Sequence, residues 1–502
     1  MVTITVTLLS GKSCSLTLRE VHPASLRQRA MELLEVQISQ LITQDGKTLR
    51  DDSAALLEDG AVITAVLQQP AIVSNGSSNW RSATVVRHLD GTVTAWGNVA
   101  CGGDLIGVKE ELREVQQIVA TYAAFAALRG DARVVSWGEA ESGGDAREVQ
   151  DQLVDVLQIV STGYAFAALR RDGRVVTWGA HDYGGDSSSC SERLENVTEL
   201  HARHGAFAAL RKDGEAVVWG KAHYGGDCSS VTGQLTDVRR ICAGFFAFTV
   251  IKANREVLTW GNVDVEACCP NQLTLSTELL DLQASHSAFC ALLVDGTAVT
   301  WGDERFGGSG PSGKLSGLTA IKANAYAFAA LTATAEVIAW GNPFCGGDCS
   351  AVQEQLHQVQ ELFAAQYAFA ALLSHGGVVA WGDADSGGDC SWLSAELQDV
   401  QEVCSSAQAF CARTRHGRVV CWGRREFGGD SSGVDDDLWE NISHITASEN
   451  VFLAMRDDGR IITWGREDTT SSVRRDDDGL LGSSTEEFYE KESSSSSWSD
   501  GS

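Results

Sequence analysis

No apolar run in the 502 residues approaches the ~18 that a membrane-spanning helix needs, so no membrane partner is expected. Proline is scarce, with 5 residues against 51 glycines, which excludes a proline-rich or collagen-like chain and points to many tight turns. The first residues, MVTITVTLLSGK, lack the charged segment and apolar block of a secretory leader. The chain is therefore expected in the cytoplasm or nucleus, with its 14 cysteines as reduced thiols. Basic residues are also few: Lys and Arg total 39 against 67 Asp and Glu, a net charge of -28. Such a chain is repelled by phosphate backbones, so nucleic acid is not expected as a direct partner.

Catalytic and metal motifs are missing too. There is no CxxC pair and no HExxH. Cys345 and Cys349 lie four apart and Cys268 adjoins Cys269, but Cys228, Cys269, Cys349 and Cys390 recur at nearly one position of a repeat, which accounts for them without zinc. The run Gly308-Ser309-Gly310-Pro311-Ser312-Gly313-Lys314 nearly matches a phosphate-binding loop, yet Leu315 stands where a magnesium-reaching Ser or Thr is needed. The histidines, His201 and His204 among them, are scattered, and no nucleophile–base pair stands out. A non-enzymatic chain with no cofactor and no metal is expected.

What the chain has is a period. Trp-Gly recurs at Trp96, Trp137, Trp178, Trp219, Trp260, Trp301, Trp340, Trp381, Trp422 and Trp464, at intervals of 41, 41, 41, 41, 41, 39, 41, 41 and 42 residues. A fixed period of this size means a solenoid, a propeller or an array. The unit GAHDYGGDSSSCSERLENVTELHARHGAFAALRKDGEAVVWG (179–220) shows the grammar. Its close, AFAALRxDGxVVxWG, places two β-prone runs around an Asp-Gly, a hairpin signature. Its head carries Gly-Gly-Asp, then a stretch such as 350–353 that fits one capped helical turn, and ends in a further strand such as 156–160 or 359–363. Each unit thus supplies three strands, and stacking copies buries both faces of each small sheet. The tryptophans are expected to fill the space between sheets. The aspartates Asp104, Asp145, Asp186, Asp227, Asp348, Asp389 and Asp430 share one repeat position. They either cap the turn after the glycine pair or together form an acidic rim for a basic partner.

The closing xVxxWG, the glycine pair and the ALxxDG hairpin resemble the repeats of the regulator of chromosome condensation family over residues 80–465. The resemblance implies a mainly β fold, a β-propeller or propeller-like array, here of about nine 41-residue repeats. Ten closing segments are present but nine heads, and the first close, 83–97, has Thr84 in place of Phe. Heads at 266–270 and 307–310 lack Gly-Gly-Asp. A closed wide ring, an open twisted array and a seven-blade ring with overhang all remain compatible with this count.

Residues 1–69 follow another pattern. Val2, Ile4 and Val6 alternate with threonines, a Gly11-Lys12 turn leads to a strand over 15–19, and Pro23 opens a helix carrying Leu26, Ala30, Leu33 and Leu34. Leu41-Ile42, the turn Asp45-Gly46-Lys47, Leu49 and a strand over 61–67 follow. This order resembles a ubiquitin-like, β-grasp domain. Gln68-Gln69-Pro70 replaces a conjugable diglycine end, Thr43 stands near the receptor-binding isoleucine position, and Leu9 and Val66 match the remaining patch. Residues 70–79 read as a linker, and 466–502 as a disordered acidic tail in which Ser483 and Ser484 are candidate phosphorylation sites. The functional expectation is a protein-interaction scaffold. The alternatives are a ubiquitin-system adaptor or substrate receptor, and a guanine-nucleotide exchange regulator of a small GTPase.

Overall fold

The computed structural model describes residues 2–8, 13–18, 26, 29–30, 38–43, 48–49, 61–67, 69–76, 82–231, 233–262, 273–311, 315–466 and 471–473. The N-terminal segment forms a five-stranded mixed sheet of β1 (Val2–Leu8), β2 (Ser13–Leu18), β3 (Ile38–Thr43), β4 (Thr48–Leu49) and β5 (Val62–Leu67), in the order β2-β1-β5-β3-β4. The central pair β1 and β5 is parallel, and the other pairs are antiparallel. Ile4, Val6, Leu16, Leu41 and Ile63 are buried with the helical residues Leu26 and Ala30, as the alternation of β1 requires. Leu9, Leu33 and Leu34 lie outside the described residues.

Ten antiparallel sheets follow among the described residues, eight of three strands and two, the fifth and tenth, of four. Their middle strands, for sheets one to ten, are Ala83–Arg87, Ala124–Arg129, Ala165–Arg170, Ala206–Arg211, Ala247–Lys252, Ala288–Leu293, Ala327–Thr332, Ala368–Leu373, Ala409–Thr414 and Val451–Arg456. The period-two alternation explains why these strands read as unbroken apolar runs. Ala124, Ala126 and Leu128 of sheet two pack against Phe166, Ala168 and Trp178 of sheet three. Phe125 and Ala127 face sheet one on the other side. Both faces are buried, and the alanines leave room for the neighbour's aromatic pair.

The expected nine repeats are thus ten sheets. The tenth arises because the expected linker contains a strand, Ala71–Ser74, which pairs with the middle strand of sheet one. Residues 77–79 of that linker lie outside the described residues. The first strands of successive sheets adjoin one another, and that of sheet ten, Ile442–Ala447, adjoins Ala71–Ser74. At this seam the Ser74 N–H donates to Ser448 Oγ at 2.7 Å, and Arg466 Nη1 donates to Ser82 Oγ at 2.6 Å. Ile72 and Val86 share a buried cluster with Val451, Leu453 and Ile461. Within the expected disordered tail, Ser471–Val473 forms a strand on Ile461–Gly465. The aspartate run, Ser483, Ser484 and the serine run 493–497 of that tail lie outside the described residues.

The heads are built from short 3-10 turns, such as His181–Tyr183 and Ser350–Gln355. Glycine is required where each turn ends. Gly184 has φ +94°, and a Cβ there would lie 2.5 Å from Phe207 Cδ2. On Gly185 it would lie 2.2 Å from the Gly179 carbonyl oxygen. Gly307 ends its turn in the same way, with φ +91°, and a Cβ on Gly308 would lie 2.1 Å from the Gly302 carbonyl oxygen, so the first glycine of the phosphate-loop look-alike serves the repeat frame. Residues 312–314 of that run, and Cys268 and Cys269, lie outside the described residues.

Candidate binding surface at the hub of the sheets

The repeat tryptophans sit between sheets. Trp137, Trp178, Trp219, Trp260, Trp301, Trp340, Trp381, Trp422 and Trp464 are all buried. Each stacks on the Phe opposite it in the same sheet, as Trp219 does on Phe207 at 5.2 Å and 18°. The Trp219 indole N–H donates to the Gly184 carbonyl at 3.0 Å, and the same bond recurs from Trp137 to Gly102 and from Trp422 to Gly387. Trp301, whose head lacks the glycine pair, donates instead to Thr259 Oγ1 at 3.0 Å. Trp96 is half-buried, faces Thr84 rather than Phe, and its Nε1 meets no acceptor among the described residues.

The seven aspartates are occupied locally. Oδ1 of Asp104, Asp145, Asp186, Asp227, Asp348, Asp389 and Asp430 accepts from the backbone N–H two residues on, at 2.8–3.0 Å. The Arg147 guanidinium and its backbone N–H hold the Asp145 carboxyl down at about 2. Backbone donation from the following serine lowers Asp186, Asp348, Asp389 and Asp430. Every one of these side chains is exposed or half-exposed.

A different set of residues converges. Each sheet turns from its first to its middle strand at one hub position, held by Gly76, Tyr122, Gly163, His204, Phe245, His286, Ala325, Gln366, Ala407 and Glu449 in sheets one to ten. Backbone bonds join many of these turns across sheets. Tyr122 N–H donates to Gly163 C=O and Gly163 N–H to His204 C=O, both at 2.7 Å. His286, Ala325, Gln366 and Ala407 donate in the same sense to Ala325, Gln366, Ala407 and Glu449 at 2.7–3.2 Å. Because the backbone fixes the turns, the side chains are free to differ. This variability inside a near-uniform frame is the sequence signal that a search for catalytic motifs passes over.

The hub side chains form a half-exposed aromatic arc. Tyr122 lies across Gly163, where a Cβ would sit 2.7 Å from its ring, and its hydroxyl is 2.7 Å from His204 Nδ1. His204 meets Phe245 at 4.2 Å, Phe245 meets His286 at 4.6 Å, and His286 meets Tyr326 at 5.1 Å. Tyr326 stacks on Tyr367 at 5.5 Å. Tyr183, Tyr224 and Phe306, from the 3-10 turns, back this arc. The remaining hub residues and their neighbours are small and polar: Ala325, Gln366, Ala407, Gln408, Glu449 and Asn450. Tyr122, Phe245 and His286 of the arc, these small and polar residues and Arg203 line a cavity of 1190 Å³ reached by sheets one, two and four to ten.

The electrostatics suit binding. Burial, reinforced by Arg203, lowers His204 and His286, which keeps both imidazoles neutral at pH 7. Burial, then the Glu449 charge, pushes Tyr122 up to about 12. Glu449 is water-accessible yet walled by protein, and that enclosure raises its carboxyl while Arg203 opposes the shift. Among the described residues no group of three or more His, Cys, Asp or Glu is placed to hold a metal ion, and no helix is long and apolar enough to cross a membrane.

No family model and no curated protein matches the chain. Several solved structures are similar to parts of the chain. Prp20p of Saccharomyces cerevisiae, described together with its binding properties to Gsp1p and histones, is 14% identical, covering 55% of this chain and 81% of its own, with a TM-score of 0.34. Human WBSCR16 is 16% identical over 55% of this chain and 86% of its own, with a TM-score of 0.32. The CRINKLY WD40 ectodomain of the Arabidopsis thaliana receptor kinase ACR4 is 16% identical over 52% and 93%, with a TM-score of 0.30. At these identities and TM-scores the likeness carries no argument about partners. The chain is a mainly β protein of propeller-like repeats, which rests on the ten sheets themselves.

Proposed function

We propose that this chain is a non-enzymatic protein-interaction scaffold that binds its partner at the hub. The observation that carries this reading is the aromatic arc from Tyr122 to Tyr367, held half-exposed on turns that the backbone ladder makes rigid. Interfaces draw their binding energy from a few aromatic anchors, and a pre-set surface spends little ordering entropy on association. The seam between sheets one and ten supports a closed ring of ten blades, built from repeats of the regulator of chromosome condensation type. The test compares affinity capture by the full chain, by a Phe245→Ala/Tyr326→Ala variant, and by an Asp151→Ala/Lys212→Ala variant placed away from the arc. A partner retained by the last and lost by the first supports the hub. A partner indifferent to the aromatic pair refutes it.

A second reading is an adaptor role in the ubiquitin system. It is supported by the order β2-β1-β5-β3-β4 with its parallel central pair, which is compatible with the expected β-grasp domain. Its test is capture of proteasome or ligase subunits by the full chain and by a chain lacking residues 1–70. Equal recovery would remove this reading and leave the hub untouched.

A further inference from the structure

Sheet four breaks the repeat frame at one residue. In the other sheets the position before the hub residue is small or capping: Asn75, Thr121, Thr162, Gly244, Ser285, Asn324, Ala365, Ser406 and Ser448. Several of these tie the hub to the following 3-10 turn. Thr121 Oγ1 donates to the Ser142 carbonyl at 2.9 Å, Ser285 Oγ to Phe306 at 2.9 Å, and Asn324 Nδ2 to Cys345 at 2.7 Å. Sheet four has Arg203 there. Its first strand, Val197–Arg203, runs one residue further than the six-residue first strands such as Val156–Ser161, and Arg203 pairs with Ala206 across a tight turn. The turn places the non-glycine His204 at φ +27°. A tie is given up and a strained backbone accepted, and strain of this kind concentrates at functional sites.

What the departure gains is a guanidinium in the cavity. Arg203 lines it, is exposed to it, and has no ion-pair partner among the described residues. It shares that lining with Tyr122 of sheet two, His286 of sheet six and Glu449 of sheet ten. The other charges lining the cavity are engaged: Arg466 donates to Ser82, and Glu426 pairs with Arg424. Glu449 shares the cavity, yet no ion pair joins it to Arg203. Gln283, Gln366 and Gln408 add amide donors to the wall.

We propose that the hub cavity is an anion-binding site, in which Arg203 receives one compact anionic group, a carboxylate or a phosphate. This rests on the hub being the binding surface and names the chemistry that the partner inserts there. A guanidinium holds either anion in a bidentate fork, and a desolvating aromatic wall strengthens that pair. On a chain of net charge -28 the Arg203 guanidinium gives an anion entering the cavity a cationic partner.

The test is calorimetric titration of the full chain with sodium phosphate and, separately, with sodium succinate at fixed ionic strength. Saturable binding of at least one anion is expected, about tenfold weaker in Arg203→Gln and several-fold tighter in Glu449→Gln, which removes the competing carboxylate. Phosphate alone binding would assign a phosphate site, and succinate binding would assign a carboxylate. Among the described residues the Arg203 side chain makes no hydrogen bond or ion pair, so the near-ultraviolet spectrum should not change. Arg203→Lys, which keeps the charge without the fork, gives a second reading. Absence of saturable binding in both the native chain and Glu449→Gln, or equal binding in Arg203→Gln, overturns the site. If anions fail but Phe245→Ala/Tyr326→Ala still loses the partner, the hub reading survives and only the anion site falls.

Discussion

Truncating Trp219 to Ala should cost about 3–5 kcal/mol, as for other large aromatic residues removed from a packed core. The side chain is 3% exposed and lies between sheets three and four among Ala165, Ala167 and Leu169. Three losses combine. The transfer and cavity terms dominate. The stack on Phe207 contributes about 0.5–1.5 kcal/mol beyond area. The buried Gly184 carbonyl loses its donor at 3.0 Å, which costs about 1–3 kcal/mol for an acceptor left unsatisfied. These overlap within the measured range and place the total toward its upper end. Trp219→Phe keeps a ring and loses the donor, so about 1–2 kcal/mol is expected. Trp96 supplies the internal control. It is half-buried, has no Phe opposite it and donates to no acceptor among the described residues, so Trp96→Ala should cost about 1–2 kcal/mol. Urea unfolding of the full chain, followed by far-ultraviolet circular dichroism, gives the midpoints at an unchanged slope. Equal midpoints for Trp219→Ala and Trp96→Ala would refute the role assigned to the indole bond and the Phe stack.

Gly184→Ala should destabilise by several kcal/mol, because the new Cβ meets the Phe207 ring at a positive φ, whereas Gly107→Ala, with open space around it, should be neutral in the same denaturation. The Asp145 carboxyl is held at about 2, so its contribution is complete above the ordinary value of 3.8 and is lost as pH falls toward 2; Asp145→Asn should flatten that limb, and a carboxyl carbon resonance titrating near 3.8 would contradict it. A Ser74→Cys/Ser448→Cys chain should form a disulfide on mild oxidation, identified by peptide mass spectrometry, since the two hydroxyls are 2.7 Å apart; failure to cross-link would argue against closure of the ring. Asp186→Asn/Asp227→Asn/Asp348→Asn should leave stability and partner association unchanged if the side chains serve as turn caps; slower association with a weaker salt dependence would restore the acidic rim.

The sheets were legible because both faces of every middle strand are buried. A strand of that kind must be apolar throughout, and AFAALR followed by a turn and VVxWG leaves little else to form. The first strand of sheet one was not legible. Ala71–Ser74 precedes a Gly- and Ser-rich stretch and lacks a Gly-Gly-Asp head before it, so local composition points to a linker, while pairing with Ala83–Arg87 makes it a strand. The N-terminal alternation of Val2, Ile4 and Val6 announces a half-buried strand, but the position of β5 between β1 and β3 is a long-range choice that no local pattern carries.

The hub was illegible for a physical reason. Its turns are held by N–H and C=O groups that every residue possesses, so no residue type marks the position. Its side chains point away from the repeat's packing and are released from the repeat's grammar. A period found by matching copies weights the positions that agree, which are the Phe, the Trp and the glycines that hold sheets together. Binding chemistry sits where the copies disagree. Arg203 shows how far the disagreement reaches: it replaces a capping residue, lengthens a strand and turns His204 into positive φ, and each change is invisible until the ten sheets are aligned on their hydrogen bonds. In a repeat protein, then, the residue to test for function is the one whose presence costs the frame something, and here that residue is Arg203, which lines the hub cavity.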